Sequence, residues 1–184
     1  MLKKTMGFVL SAVAAGALAA GCAGGGTEGT GSTGNEADVT FARDMIPHHQ
    51  QAVEMAGLVR ERTSDRRVAE LAERVQRAQA PEIERMTAWL AEWDAPAAEA
   101  HGAGHGDMPG MMADTDLEEL TGAKGPAFDR MWLRMMIEHH RGAIDMSRTE
   151  LAEGAHPGAK ELARAIVDAQ QAEIDMMNHL LGEG

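Results

Sequence analysis

The chain has 184 residues, enough for one domain with a substantial core, and its 44% hydrophobic and 25% charged residues are an ordinary globular balance. Aromatic residues make up only 3%, Tyr is absent and Met is high at 14, a stock that suits packed helices better than sheets. The formal net charge of -12 argues against a nucleic-acid partner, and most of that charge is expected to solvate helix faces.

Residues 1–21 read as a targeting segment. Lys3 and Lys4 precede an uncharged apolar run from Gly7 to Ala20, too short to span a bilayer comfortably. The run ends in Leu18-Ala19-Ala20-Gly21-Cys22, which resembles the bacterial lipobox, although Leu18 stands one place earlier than the commonest pattern. Cleavage before Cys22 and its lipidation would place the protein outside the cell membrane, lipid-anchored on its outer face or in the periplasm. Cys22 is the only Cys, so no internal disulfide forms, and a metal site in the folded domain must use His, Met or carboxylate. Residues 22–37 are mostly Gly, Thr and Ser and read as a flexible tether. The folded domain is expected over 38–184.

An internal repeat organises that domain. Met45-Ile46-Pro47-His48-His49-Gln50-Gln51-Ala52-Val53-Glu54-Met55 matches Met136-Ile137-Glu138-His139-His140-Arg141-Gly142-Ala143-Ile144-Asp145-Met146 at an offset of 91 (139 − 48). The same gapless offset pairs Glu70-Leu71-Ala72 with Glu161-Leu162-Ala163, and Gln79, Glu82, Ile83 and Met86 with Gln170, Glu173, Ile174 and Met177. Each copy, 40–93 and 126–182, reads as two helices. The first is expected over about 40–62, with Pro47 either starting it or kinking it. The second runs over about 65–93 behind Ser64 or Asp65 as N-cap. Residues 94–125 form a crossover loop with a short helix, for which Thr115 and Glu118 make a capping-box pattern. The third helix starts near Pro126 and ends near Gly154, and the fourth runs from about Pro157 to Leu181. The fold class is all-α, a four-helix bundle of two duplicated hairpins with pseudo-twofold symmetry.

At about 100° per residue, Phe41, Met45, His48, Ala52 and Met55 share one face, with His49 on its flank. Trp132, Met136, His139, Ala143 and Met146 form the same face of the third helix, with His140 on its flank. Leu71, Val75, Gln79, Glu82, Ile83 and Met86 line up on the second helix. On the fourth, Leu162, Ile166, Gln170, Glu173, Ile174 and Met177 do so. Buried polar groups on such stripes need partners. In one reading His48 and His139 hydrogen-bond Glu82 and Glu173 and no metal is involved. In the other, imidazoles and Met sulfurs coordinate a metal and the Glu side chains orient them or join them. Met45, Met55, Met136 and Met146 taken alone suit core filling. Thioether with imidazole and no thiolate selects Cu(I) or Ag(I), while imidazole alone also suits zinc or another transition metal. The loop adds His101, His105, Met108, Met111 and Met112 in a Gly-rich stretch able to wrap an ion, unless Met111 and Met112 dock on the bundle.

These two His-His motifs, together with Met108-Pro109-Gly110-Met111-Met112 and Phe128-Asp129-Arg130, resemble the bacterial domain-of-unknown-function 305 family. The resemblance spans nearly all of about 38–181. It implies a ferritin-like helical bundle, commonly exported, some of whose members bind periplasmic copper. Carried over to this chain, it implies copper on His48, His49, His139, His140 and the Met residues.

Three functions compete at this stage. A copper-binding lipoprotein would buffer Cu at the cell surface or hand it to a copper-transfer protein. A structural or interaction bundle would use its His-Glu pairs only for stability. A di-iron oxidase needs Glu-x-x-His elements, yet Glu82 is followed by Arg85 and Glu173 by Met176. No Cys-x-x-Cys-His marks a haem. No catalytic constellation is recognised, so no enzymatic activity is expected.

Overall fold

The computed structural model describes residues 33–96 and 108–182. The signal segment, Cys22, most of the tether, His101 and His105 lie outside the described residues. Among the described residues there are five helices, α1 (Glu36–Arg62), α2 (Arg66–Glu92), α3 (Asp114–Gly122), α4 (Gly125–Glu153) and α5 (Pro157–Gly182), and no strand. None of these helices is long and apolar enough to cross a membrane.

The start of α1 differs from the sequence expectation. The tether does not reach residue 37, because Asn35 builds a capping box. Its Oδ1 accepts from Asp38 N–H at 2.9 Å, and its own N–H donates to Asp38 Oδ2 at 2.6 Å. The helix then runs through Pro47, which is buried and neither starts nor ends it. Asp65 caps α2 by accepting from Arg67 N–H at 2.8 Å. The cap of α3 is also not the expected one. Asp116 accepts from Ala113 N–H at 3.2 Å, so Thr115 and Glu118 lie inside the helix rather than capping it. Gly125, at φ 58, turns the chain into α4 with Pro126 in the first turn, and Pro157 opens α5.

α1 pairs with α2, α4 pairs with α5, and α1 packs on α4 to join the two hairpins. Contacts run from Asn35 with Glu153, through His48 with His139, to Met55 with Trp132, so α1 and α4 are antiparallel. Antiparallel helices related by an internal repeat place one equivalent pair face to face on the axis. With an offset of 91, that pair is His48 and His139. The apolar core divides accordingly. One cluster holds Phe41, Met45, Met86, Leu162 and Ile166; the other holds Met55, Leu71, Trp132, Met136 and Met177. Between them on the four long helices lie His48, His49, Gln79, Glu82, His139, His140, Gln170 and Glu173, a polar layer across the middle of the bundle.

A second polar contact closes the end of the bundle. Asp38, fully buried, accepts from Ala155 N–H and from His156 N–H, tying the start of α1 to the α4–α5 turn. These donors, with Asn35 N–H and the Glu150 carboxyl, outweigh burial and hold the Asp38 pKa below its usual value. Glu150 beside it is pushed up to about 8 by burial and by Asp38, against the opposing pull of Lys160. A carboxyl raised from 4.5 contributes stability that is fully present below that pH and lost as pH rises to about 8. Above pH 7, where the histidines of the unfolded chain are already neutral and those of the folded core no longer titrate, the melting temperature of the wild type is therefore expected to fall up to pH 9. Glu150→Gln should remove that slope; a variant that melts with the same pH dependence as the wild type contradicts the assignment.

Candidate metal centre

The four imidazoles of the middle layer are fully buried. On α1, His48 and His49 are adjacent, and 100° per residue turns one toward α4 and the other toward α2. His48 meets His139 with ring centroids 3.7 Å apart and planes tilted by 39°. His49 Nε2 donates to Glu82 Oε2 at 2.7 Å, and His140 Nε2 donates to Glu173 Oε2 at 2.7 Å. This corrects the pairing expected from the sequence. The flanking His49 and His140, not the stripe residues His48 and His139, hold the carboxylates, because α2 and α5 pack on the flanks of α1 and α4.

His48 has another partner. Its Nε2 donates to the Pro109 carbonyl at 3.1 Å. His139 has none on either ring nitrogen. Burial, then the His49 charge, push the His48 pKa down to about 3 despite the Pro109 carbonyl. Burial first, and then His48, hold His139 well below its usual value. Both rings are therefore neutral near pH 7 and each carries a nitrogen lone pair. Where Nε2 holds the hydrogen, a neutral ring has its lone pair on Nδ1. The Nδ1 atoms of His48, His49 and His140 are all buried without a partner, as are both nitrogens of His139. Five orphaned ring nitrogens in one layer are costly for a purely structural core, and the one lone-pair nitrogen of a neutral imidazole is the donor type a borderline or soft metal takes. Among the described residues, no three His, Cys, Asp or Glu side chains converge on one point. The layer is thus a set of imidazole pairs bordered by thioethers rather than a closed cage.

The family model described as Domain of unknown function (DUF305) matches residues 38–181. The chain belongs to this family. A DUF305 fragment from Deinococcus radiodurans is 34% identical, with a TM-score of 0.75 covering 82% of this chain and 98% of that one. A Streptomyces coelicolor DUF305 protein, described as secreted, is 39% identical, with a TM-score of 0.74 over 80% of this chain and 93% of its own. CopM, solved in a Cu(II)-bound form, is 32% identical with a TM-score of 0.69, covering 79% of this chain and 96% of that one. CopM has also been solved in Cu(I)-bound and Ag-bound forms. A further 55-residue segment is 42% identical to the uncharacterized protein L153 of Acanthamoeba polyphaga mimivirus, covering 30% of this chain and 36% of that one.

The Met candidates of this DUF305 chain fall at different distances from the imidazoles. Met45 and Met136 stand one turn before His48 and His139, about 4.5 Å of helical rise, and both are fully buried. Met86 and Met177 are likewise buried, four residues after Glu82 and Glu173. Met55 and Met146 lie seven residues from the His pairs, about 10 Å along the helix, and pack into the apolar clusters. In the crossover, Met112 is held at its backbone by the Gln51 side chain and packs on the core. Of the two alternatives the sequence offers for Met112, this is docking on the bundle. Met108 and Met111 are half-buried. Three supporting residues went unnoticed in the sequence: Gln51, Gly142 and Pro109. The signal that marks two of them is that Gln51 and Gly142 occupy equivalent repeat positions yet differ.

Proposed function

We propose that the protein binds copper, Cu(I) first and Ag(I) as its mimic, in the buried histidine layer, and serves as an exported metal buffer or donor. The observation that carries this is the layer of buried, unpartnered imidazole nitrogens around the His48–His139 contact on the pseudo-twofold axis. The copper-bound and silver-bound forms of CopM support it. His48 and His139 would be the central ligands, His49 and His140 their flanking neighbours, and Met45 and Met136 the nearest thioethers. Glu82 and Glu173 would orient the flanking rings and raise their basicity. A bound copper ion supplies no chemistry beyond storage and transfer in this reading. His48 and His139 are in van der Waals contact, so holding one ion between them requires the rings to turn.

The chain is anchored, in the same proposal, through a lipid on Cys22, and the intact mass of the exported protein reads this. A copper-transfer protein is its partner.

A ligand that binds only the folded state raises the melting temperature, by an amount equivalent to about 4 kcal/mol at a free concentration of 1,000 Kd. Cu(I), under reducing anaerobic conditions, and Ag(I) are expected to raise it by several degrees, and Mg(II) by none. If no soft metal moves the transition, the copper reading fails and the His49–Glu82 and His140–Glu173 pairs are structural.

A further inference from the structure

Gln51 and Gly142 differ by the same 91 positions as His48 and His139, yet they do unlike things for one short segment, residues 109–112. On the α1 side, Gln51 Nε2 donates to the Met112 carbonyl at 2.9 Å, and Met112 N–H donates to Gln51 Oε1 at 2.8 Å. On the α4 side, a Cβ at Gly142 would overlap the Pro109 carbonyl and crowd Gly110. Gly110 itself sits at φ 77, and a Cβ there would press on the Glu138 and His139 carbonyls. Between the grip and the gap, the Pro109 carbonyl meets His48. One strap cannot obey a twofold axis. It gives His48 a partner and leaves His139 without one.

We propose that this strap is a working part of the copper site: the Pro109 carbonyl positions the His48 ring, and displacement of residues 109–112 is how the metal reaches the layer. The inference rests on the copper reading above. A carbonyl only accepts, so it fixes the hydrogen on His48 Nε2 and the lone pair on Nδ1. His48 is then the oriented ligand, whereas no hydrogen bond fixes the His139 ring. All four imidazoles are sealed from solvent, so an ion arrives only if some cover moves. The long helices are held by the packed clusters, whereas the strap is gripped by one amide side chain, by the His48 contact and by the half-buried Met112 side chain at its end. The cover with the fewest buried apolar contacts opens at the lowest free energy.

The test uses the intact chain with Gln51→Ala, which cuts both strap bonds, and Gly142→Ala, which pushes the strap outward. Neither residue is a proposed ligand. Two readouts are taken. Ring 15N shifts of the metal-free protein report the His48 tautomer, and stopped-flow transfer of Cu(I) to a coloured chelator reports exchange. The wild type is expected to show His48 protonated at Nε2. Both variants should lose that preference and exchange Cu(I) about tenfold faster. Unchanged ring shifts together with unchanged exchange in both variants overturn the proposal. Gln51→Glu, which still accepts from Met112 N–H, should fall between wild type and Gln51→Ala and stands in if Gln51→Ala does not fold. If the wild type takes up no Cu(I), the copper reading and the access route fall together, and the ring shifts still decide whether Pro109 positions His48.

Discussion

Trp132→Ala is expected to destabilise the protein by about 3–5 kcal/mol, the largest effect of any single truncation in the core. Trp132 is fully buried, and it is the side chain that ties the hairpins at one end of their junction. Its Nε1 donates to the Met55 carbonyl at 3.0 Å, from α4 to α1. Removing the indole leaves a large void that the antiparallel helices fill only by sliding, and sliding would disturb the His48–His139 contact. At roughly 2–4 °C per kcal/mol for a chain of this size, the melting temperature should fall by about 6–20 °C. Trp132→Phe keeps most of the apolar surface and loses mainly the hydrogen bond, so about 1 kcal/mol of its cost is the bond. Phe41 occupies the equivalent repeat position on α1 with a smaller ring, and Phe41→Ala should cost less than Trp132→Ala. Chemical denaturation of the three variants checks the ranking; equal losses for Phe41→Ala and Trp132→Ala would contradict it.

The Glu82→Gln, Glu173→Gln double variant should lower copper affinity about 10–100-fold while leaving the fold in place. An amide oxygen still accepts from His49 Nε2 or His140 Nε2, so the hydrogen bonds survive. What is lost is the negative charge that makes each imidazole a stronger base. Glu173 is the more enclosed of the two, with a side chain 10% exposed against 20% for Glu82, so Glu173→Gln should carry the larger share. Glu173→Leu is a different experiment. It strands the buried His140 N–H and should cost about 1–3 kcal/mol of stability. If the Gln variants bind copper as the wild type does, the carboxylates serve the fold alone.

Much of this arrangement is legible from residue order. The helical period and the offset of 91 give the two hairpins and bring His48, Gln79, Glu82 and their equivalents onto inward stripes. The repeat even implies that one equivalent pair meets on the axis. What it does not give is which flank of α1 is covered by α2. That is set by packing between helices, and the pairing of Glu82 with His49 rather than His48 follows from it. The strap is harder still to read. Gln51 and Met112 are 61 residues apart, and a Gln next to a His-His pair looks like surface until the crossover is seen lying on it. The Asp38–Glu150 contact also crosses between hairpins, and the repeat does not reproduce it: Asp38 has Asp129 at its equivalent position, but Glu150 has Val59. No local pattern announces it. The Met residues show the limit of composition as a guide. Met45 and Met136 stand one turn from the imidazoles, whereas Met55 and Met146 fit the same motif two turns away, Met55 in the core and Met146 half-buried against it.

The most direct test is an anaerobic Cu(I) titration of the wild type and of the His48→Ala, His139→Ala double variant against a coloured competing chelator. Uptake of at least one ion per chain by the wild type, weakened at least about a hundredfold in the double variant, is the expected result for copper held in the central layer. Equal uptake by both proteins would contradict it and move the binding site away from the twofold axis.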